Sequence, residues 1–334
     1  MENLNILKGK SILITGGTGS VGKVLVKYLL ENFDVEKIII YSRDEYKQYL
    51  MQKEFEKHKD KLKFFIGDIR DKERLYRALY KVDYIIHAAA LKHVPIAEYN
   101  PVEVINTNIK GAQNLIEVAI DRGVKKVIAL STDKAVNPIS LYGATKLVSD
   151  KLFISSNSYT IDLETSFIVV RFGNIAGTRG SVIPYFKSLK EKKVDFIPIT
   201  DSRMTRFWTD INEAIDLILK ALSLGRKGEI FVSKSKSFKI IDLAKAIAPE
   251  IPIKEIGIRE GEKLHEIMIT YEDSRYTYEY NDFFVIYPYF DWYNYEIIPN
   301  GKKVEEGFIF SSDNNQFFSV EELKDKVEKL ENFL

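Results

Sequence analysis

The chain contains no cysteine, so a disulfide framework, a thiolate metal site and a cysteine nucleophile are all excluded. No window has the roughly 18 consecutive apolar residues that a membrane-spanning helix needs. Residues 1–10 are polar apart from a short apolar pair, which does not fit a signal peptide. Positive and negative charges nearly cancel, at a net +1, and give no reason to expect nucleic acid as a partner. We therefore predict a cytoplasmic protein without a metal site.

The overall composition is ordinary for a soluble globular protein. The chain has 334 residues, of which 45% are apolar and 29% charged, enough to build one large and one smaller domain. We find no internal repeat and no low-complexity linker between them.

Residues 11–31 begin with a short apolar strand, continue through a glycine-rich turn and end in an amphipathic helix. In a dinucleotide-binding turn, Gly16 permits the tight bend, Gly19 lets the backbone approach a pyrophosphate, and Gly22 lets the helix pack closely. A simple turn is the alternative, but the position at the start of a βα series favours a nucleotide site. The candidate cofactor residues here are Gly16, Thr18, Gly19, Ser20, Val21 and Gly22.

The second predicted strand, residues 37–41, ends in Ser42 and Arg43. Arg43 stands about where an acidic residue would hold the ribose of NAD, and an arginine there can instead pair with a 2′-phosphate. A solvated arginine is the alternative, and the neighbouring Asp44 obscures the pattern. We predict NADP ahead of NAD.

Two further predicted strands, residues 63–66 and 84–88, also end in candidate residues. Asp68 could accept a hydrogen bond from an adenine amino group, whereas Asp71 is typical of a helix N-cap. Small alanines after the later strand would let a cofactor cross the strand end. The cofactor candidates at these ends are Asp68, Ile69, Ala88, Ala89 and Ala90. Lys92 on the following loop either contacts substrate or is solvated, and His93 is expected to play only a supporting role.

The densest group of chemical side chains follows the apolar run 127–130, which predicts a buried parallel strand. Thr132, Asp133 and Lys134 come just past its carboxyl end, where open α/β sheets bind their ligands. Tyr142 and Lys146 follow on a predicted helix, and four residues apart they share one face of it.

This group allows proton transfer coupled to oxidation of an alcohol. A nearby ammonium at Lys146 and a positive nicotinamide would lower the pKa of Tyr142, so that it can take a proton from a sugar hydroxyl. Thr132 would hydrogen-bond the same oxygen. Lys134 as a neutral amine could remove a C5 proton, and Asp133 as a protonated acid could donate to a departing C6 hydroxyl. The alternative for Asp133 and Lys134 is a plain salt bridge or a turn cap.

The regular alternation of predicted strands and helices stops after a sixth strand, residues 167–170. The glycine-rich stretch 177–184 leads into a helix and either holds substrate phosphates or is a mobile connection. A helix and strand over residues 210–232 predict a return to the first domain. Arg206 and Arg259 suit a base or phosphate in a smaller lobe over the cleft. The tail from Tyr271 is aromatic and is expected to be irregular; its closing helix from Val320 carries a capping box of Ser319 and Glu322.

Together these residues resemble the extended short-chain dehydrogenase/reductases and, within them, the inverting UDP-N-acetylglucosamine 4,6-dehydratases (5-epimerising) of pseudaminic acid biosynthesis. The segments that carry the resemblance are 15–22, 41–45, 65–68, 88–101, 130–135, 141–146, 171–174, 204–208, 261–266 and 311–315. The triple Thr132-Asp133-Lys134 is the most specific part. Glu260 departs from the pattern, because relatives usually have proline there, and this leaves the placement of Arg259 open.

The resemblance implies an α/β fold, a Rossmann-type doubly wound parallel sheet with a smaller α/β C-terminal substrate lobe. Residues 1–173 would form the NADP-binding domain, rejoined at about 209–233, and residues 174–208 and 234–334 the substrate lobe and tail. It implies bound NADP, a homo-oligomer (a hexamer), and UDP-N-acetylglucosamine converted to UDP-2-acetamido-2,6-dideoxy-β-L-arabino-hex-4-ulose. The implied catalytic residues are Thr132, Asp133, Lys134, Tyr142 and Lys146, and Tyr142 and Lys146 also contact the cofactor. The substrate residues are Lys92, Asn174, Arg179, Ser181, Val182, Arg206, Arg259 and Glu262.

Three other functions remain open at this point. A UDP-hexosamine 4-epimerase needs Tyr142 but not the Asp133–Lys134 pair. The related inverting dehydratase of N-acetyl-L-fucosamine synthesis shares the constellation. A silent NADP-binding regulator would not need Thr132, Tyr142 and Lys146.

Overall fold

The computed structural model describes residues 4–178, 180–290 and 295–330 of the chain. The strands are β1 (Ser11–Thr15), β2 (Lys37–Ser42), β3 (Leu62–Ile66), β4 (Tyr84–His87), β5 (Lys126–Thr132), β6 (Ser166–Phe172), β7 (Asn174–Ile175), β8 (Ile197–Ile199), β9 (Thr205–Thr209), β10 (Ile230–Ser233), β11 (Ser237–Lys239), β12 (Ile253–Glu255), β13 (Ile267–Ile269), β14 (Thr277–Glu279), β15 (Phe283–Ile286), β16 (Lys302–Lys303) and β17 (Phe310–Ser311). The helices are α1 (Ser20–Asn32), α2 (Glu45–Glu54), α3 (Lys72–Ala78), α4 (Val94–Tyr99), α5 (Pro101–Ile105), α6 (Gly111–Asp121), α7 (Leu141–Ser155), α8 (Val182–Glu191), α9 (Ile211–Leu224), α10 (Ile240–Ile247) and α11 (Val320–Leu330).

A ten-stranded sheet forms the centre of the molecule, in the order β16-β14-β15-β10-β6-β5-β4-β1-β2-β3. From β10 to β3 every neighbouring pair is parallel. The central strand β1 is buried on both faces, because its successive residues pack against opposite helical layers: Ile12 and Ile14 pack with α1 and α9, and Leu13 packs with α6. The predicted Rossmann-type fold is confirmed.

The aromatic tail was expected to be irregular, but part of it forms regular strands. Residues of β14, β15 and β16 add three antiparallel strands beyond β10, although the expected division placed them in the smaller lobe. The run Phe283–Ile286 is buried throughout, and its pairing with β10 satisfies an edge that would otherwise be exposed. Covering this edge is the physical reason why the tail returns to the main sheet.

The helical segment between β4 and β5 contains one irregular turn. Residues 106–110 form a π-helical turn between α5 and α6, and Asn108 on this turn hydrogen-bonds the backbone of Leu91 with both ends of its amide. The wide turn therefore ties the loop after β4 to the helical layer.

The smaller lobe has its own apolar core, in which α8, α10 and α11 surround Trp208 and Phe238. The predicted capping box of α11 is confirmed: Ser319 N donates to Glu322 Oε2 at 2.8 Å, and Glu322 N donates to Ser319 Oγ at 3.2 Å. Among the residues that the structure describes, no helix combines the length and apolar character that crossing a bilayer requires.

Candidate active site

A cleft of about 630 Å³ runs along the carboxyl ends of the parallel strands, a volume typical of small-molecule sites. Thr132, Lys134, Tyr142 and Lys146 all line it. The other candidates that line it are Gly16, Thr18, Gly19, Ser20, Val21, Gly22, Ser42, Arg43, Asp68, Ile69, Ala88, Ala89, Ala90, Lys92, Asn174 and Ser181. The fold thus gathers into one cavity residues that lie far apart in the chain.

The glycine turn has the geometry that a pyrophosphate requires. Gly16 has φ +65°, a conformation that favours glycine. A Cβ on Gly22 would lie 2.6 Å from the backbone of Gly17, so only glycine lets α1 begin this close to the turn. Gly19 caps α1 without a side-chain hydrogen bond, which leaves the first backbone N–H groups of the helix facing the cleft.

The end of β2 presents positive charge to the same cleft. The Arg43 side chain is 53% exposed and lies 3.7 Å from Asp68. Asp44 also lines the cleft, where its carboxylate accepts from Lys47 N at 2.9 Å and pairs with Lys47 Nζ at 2.7 Å. Lys47 also lines the cleft, which the sequence reasoning missed. The signal in the sequence that could have identified Lys47 is its position three residues after Asp44, the N-cap of α2.

Tyr142 is held in the cleft by the way α7 begins. Ser140 Oγ accepts from Gly143 N at 3.2 Å and caps the helix. A Cβ on Gly143 would lie 2.2 Å from the carbonyl oxygen of Lys134, so glycine is needed for α7 to lie against the turn after β5. This close approach places Tyr142 and Thr132 together in the lining of the cleft.

The electrostatics of Tyr142 differ from the expectation. Burial raises the pKa of Tyr142 to about 12, and Lys134 is the neighbouring cation that opposes the rise. Lys146, expected in that role, donates from Nζ to the Leu130 carbonyl at 2.8 Å, and burial lowers its own pKa. Lys146 does not take the expected role because its ammonium is directed to the backbone at the end of β5.

Asp133 and Lys134 form an ion pair, which the sequence analysis gave as the alternative to a catalytic role. The ion pair lies inside the candidate site. Lys134 Nζ lies 3.0 Å from Asp133 Oδ1, and Thr132 Oγ1 donates to the same oxygen at 3.0 Å. Asp133 is fully buried behind the cleft wall, while 26% of the Lys134 side chain is exposed beside Tyr142. The pair is therefore both a salt bridge and a part of the cleft.

The environment of the pair favours the protonated form of both groups. Burial raises the pKa of Asp133, which favours the acid form that the sequence predicted. Burial alone would lower the pKa of Lys134, but Asp133 and Glu266 outweigh it and hold that pKa above its ordinary value. The expected neutral amine is disfavoured here, because two carboxylates surround the ammonium.

Glu266 is a second functional candidate, after Lys47, that the sequence reasoning missed. Its carboxylate is 2% exposed and lies 3.4 Å from Lys134 Nζ. It comes from the smaller lobe, 132 residues after Lys134, and no spacing pattern links the two positions.

Several expected substrate residues lie elsewhere. The guanidinium of Arg206 donates to the carbonyls of Thr205, Lys263 and Leu264 at 2.7–3.2 Å, so it supports a loop and does not fit the expected contact with a nucleotide. Arg259 and Glu262 pair with each other at 3.9 Å on a loop outside the cleft lining. Val182 is also absent from the lining, because it begins α8 and packs on the core of the smaller lobe. Arg179 lies outside the described residues.

Comparison with known proteins adds an independent observation. A family model described as "Polysaccharide biosynthesis protein" matches residues 12–288. A UDP-N-acetylglucosamine 4,6-dehydratase (inverting) from Campylobacter jejuni is 52% identical over 336 residues, covering 98% of this chain and 100% of that relative. A UDP-glucose 4-epimerase from Rickettsia conorii is 40% identical over 326 residues, covering 95% and 94%.

Solved structures show the same fold. The X-ray structure of Pen from Bacillus thuringiensis has a TM-score of 0.90 and 38% identity, covering 98% of this chain and 99% of that one. A dTDP-glucose 4,6-dehydratase from Streptomyces venezuelae, crystallised with NAD bound, has a TM-score of 0.69 and 25% identity, covering 76% and 86%.

Proposed function

The chain belongs to the polysaccharide biosynthesis protein family of extended short-chain dehydrogenase/reductases, and from this premise we propose that it is an inverting UDP-N-acetylglucosamine 4,6-dehydratase. The proposed product is UDP-2-acetamido-2,6-dideoxy-β-L-arabino-hex-4-ulose, the first intermediate of pseudaminic acid-type synthesis. The observation that carries the proposal is the contact of Asp133 and Lys134 with each other beside Tyr142, in a family whose relative at 52% identity has this activity.

We propose NADP as the cofactor, held by the glycine turn at its pyrophosphate and by Arg43 and Lys47 at a 2′-phosphate. The engagement of Asp44 with Lys47 supports this choice, since a free carboxylate at that position is what NAD binding uses. The positive φ of Gly16 and the tight contact of Gly22 with Gly17 fit a dinucleotide. A bound nicotinamide supplies a hydride acceptor and, later, a hydride donor.

The first proton transfer falls to Tyr142, which takes the proton of the C4 hydroxyl as a ketone forms there. Thr132 lines the cleft together with Tyr142 and can steady the same sugar oxygen. The buried phenol holds its proton at neutral pH, so the approach of positive charge is needed before Tyr142 can act as a base.

The elimination step falls to Lys134 and Asp133. Once C4 is a ketone, the proton at C5 becomes acidic. Lys134 removes it from the minor fraction of molecules in which its amine is neutral, since the neighbouring carboxylates favour the ammonium. Asp133 protonates the departing C6 hydroxyl, which leaves as water. A bound reduced nicotinamide would supply the hydride that adds to C6, and a proton returned to C5 from the opposite face would complete the saturation and invert that centre. The second oxygen of Asp133, Oδ2, has no hydrogen-bond partner among the described residues and can carry the proton for this step.

A single incubation tests the proposal. In heavy water with NADP and UDP-N-acetylglucosamine, we expect a product lighter than the substrate by one water and carrying solvent deuterium at C5. Mass spectrometry reads the mass, and proton NMR reads the label and the configuration at C5. A product of unchanged mass with C4 inverted would instead establish a 4-epimerase, the activity of the relative at 40% identity.

The assignment of lobes is part of the proposal. We propose that residues 1–173 with 209–233 hold the cofactor, and that the smaller lobe closes over the sugar nucleotide. Asn174 and Ser181, which line the cleft at the point where the chain leaves β6, support this division.

A further inference from the structure

A buried carboxylate from the smaller lobe reaches the pair that we assign to elimination. Lys134 Nζ is surrounded by three oxygens: Asp133 Oδ1 at 3.0 Å, Asn174 Oδ1 at 3.3 Å and Glu266 Oε1 at 3.4 Å. Two of the three N–H donors of the ammonium are given to Asp133 and Asn174, and Glu266 lies within ion-pair distance of the same nitrogen. Glu266 is thus one of the three groups that set the position of the Lys134 nitrogen.

The main chain of Glu266 is fixed by the tail. Glu266 N donates to Ser312 Oγ at 2.9 Å, and Ser312 N donates back to the Glu266 carbonyl at 2.8 Å. The antiparallel pairing of β13 with β17 continues this contact. The carboxylate therefore reaches the cleft wall from a rigid support.

The charges around Glu266 hold it as an anion. Lys263 Nζ lies 3.4 Å from Oε2, and Arg206 Nε lies 3.9 Å from Oε1. Burial alone would raise the pKa of Glu266, but Lys134, Arg206 and Lys263 outweigh it and lower that pKa. Asp133 shifts in the opposite direction, because burial and the charge of Glu266 both raise its pKa. Two carboxylates on one lysine thus differ in their proton preference, which is how acid and anion roles are divided in active sites.

We propose that Glu266 is a positioning residue of the elimination step, the permanent anion opposite Lys134 that leaves Asp133 free to keep its proton. This inference rests on the proposed function, because it gives Asp133 the acid role. The charged and titratable groups that face the pair, from every element around it, are Tyr142 (α7), Arg206 (β9), and Lys263 and Glu266 (the segment before β13).

The test replaces Glu266 by glutamine, which keeps the shape and removes the charge. Loss of this anion lowers the pKa of Asp133 and of Lys134 together, since each is raised by it. We expect both limbs of the pH profile of kcat for water release to move to lower pH by about one unit, the size of effect that a close charge produces. On the alkaline limb this lowers kcat about tenfold, because the protonated acid falls tenfold per pH unit above its pKa. KM should stay within twofold.

Two further variants make the result decisive. Glu229→Gln removes another buried carboxylate, 1% exposed and placed before β10 at the opposite end of the sheet, and should leave the pH profile unchanged. Glu266→Asp keeps the negative charge but moves it one methylene farther from Lys134. Both limbs of the pH profile should therefore move to lower pH, by less than in Glu266→Gln. If Glu266→Gln does not fold, Glu266→Asp decides alone.

The outcomes separate this proposal from the proposed function. A wild-type protein that releases no water refutes both. A wild-type protein that releases water, with Glu266 variants whose limbs stay in place, refutes only the role of Glu266. A fall in kcat without any shift of the limbs would show that Glu266 merely supports the fold.

Discussion

Replacing Asp133 by asparagine removes the proposed acid with little change of shape. The amide oxygen can still accept from Thr132 and Lys134, which both donate to Asp133 Oδ1 at 3.0 Å. Lys134 also keeps Glu266 at 3.4 Å, so its charge is not left unpaired. The substitution therefore isolates the proton of Asp133 from its contacts.

The expected loss follows from the role of a general acid. Removal of one typically costs roughly 10²–10⁴ in rate, about 3–5 kcal/mol of transition-state stabilisation. Because Asp133 acts only after C4 is oxidised, the variant should still reduce the cofactor once per active site and then stall. Single-turnover absorbance of the reduced nicotinamide measures the first event, and mass spectrometry of released sugar measures the second.

Stability supplies the control for this variant. Burial raises the pKa of Asp133 above its unfolded value, so its contribution to stability is full at acid pH and is lost as pH rises through the folded pKa. The asparagine variant has no such titrating group and cannot lose this contribution to stability. Its thermal midpoint should therefore fall less than that of the wild type when the pH is raised from acid to neutral. Asp83→Asn, which weakens a 3.0 Å contact to Ser11 N at the far end of the sheet, should retain full turnover. Water release at the wild-type rate by Asp133→Asn would refute the acid role.

Three shorter predictions address the cofactor and the base. Arg43→Ala should weaken NADP at least tenfold and NAD little, because it removes a cation facing the cleft; equal weakening, measured by fluorescence titration, would contradict the cofactor proposal. Gly22→Ala should destabilise the fold by roughly 1–3 kcal/mol in chemical denaturation, since its Cβ would lie 2.6 Å from the Gly17 backbone; an unchanged midpoint would show that α1 can shift. Tyr142→Phe should abolish cofactor reduction, whereas in the wild type, whose Tyr142 pKa is raised to about 12 by burial, that rate should increase with pH; a flat profile would argue against a phenolate base.

Local patterns were enough to predict the parallel core and the position of the cleft. Buried strands such as β1 and β5 are continuous apolar runs, and the polar residues that follow them must meet at one edge of a parallel sheet. The glycine turn and the spacing of Tyr142 and Lys146 are equally local, because they depend on a single bend and a single helical turn. These features required no knowledge of distant contacts.

Contacts between distant segments were decided by the tertiary structure alone. The sequence does not show that the tail adds β14 to β16 to the main sheet, nor that Glu266 reaches Lys134, because both depend on which edges and cavities the other elements leave open. The proton preferences of Asp133, Lys134 and Tyr142 belong to the same class. Burial and neighbouring charge set them, and both are properties of the folded chain rather than of residue spacing.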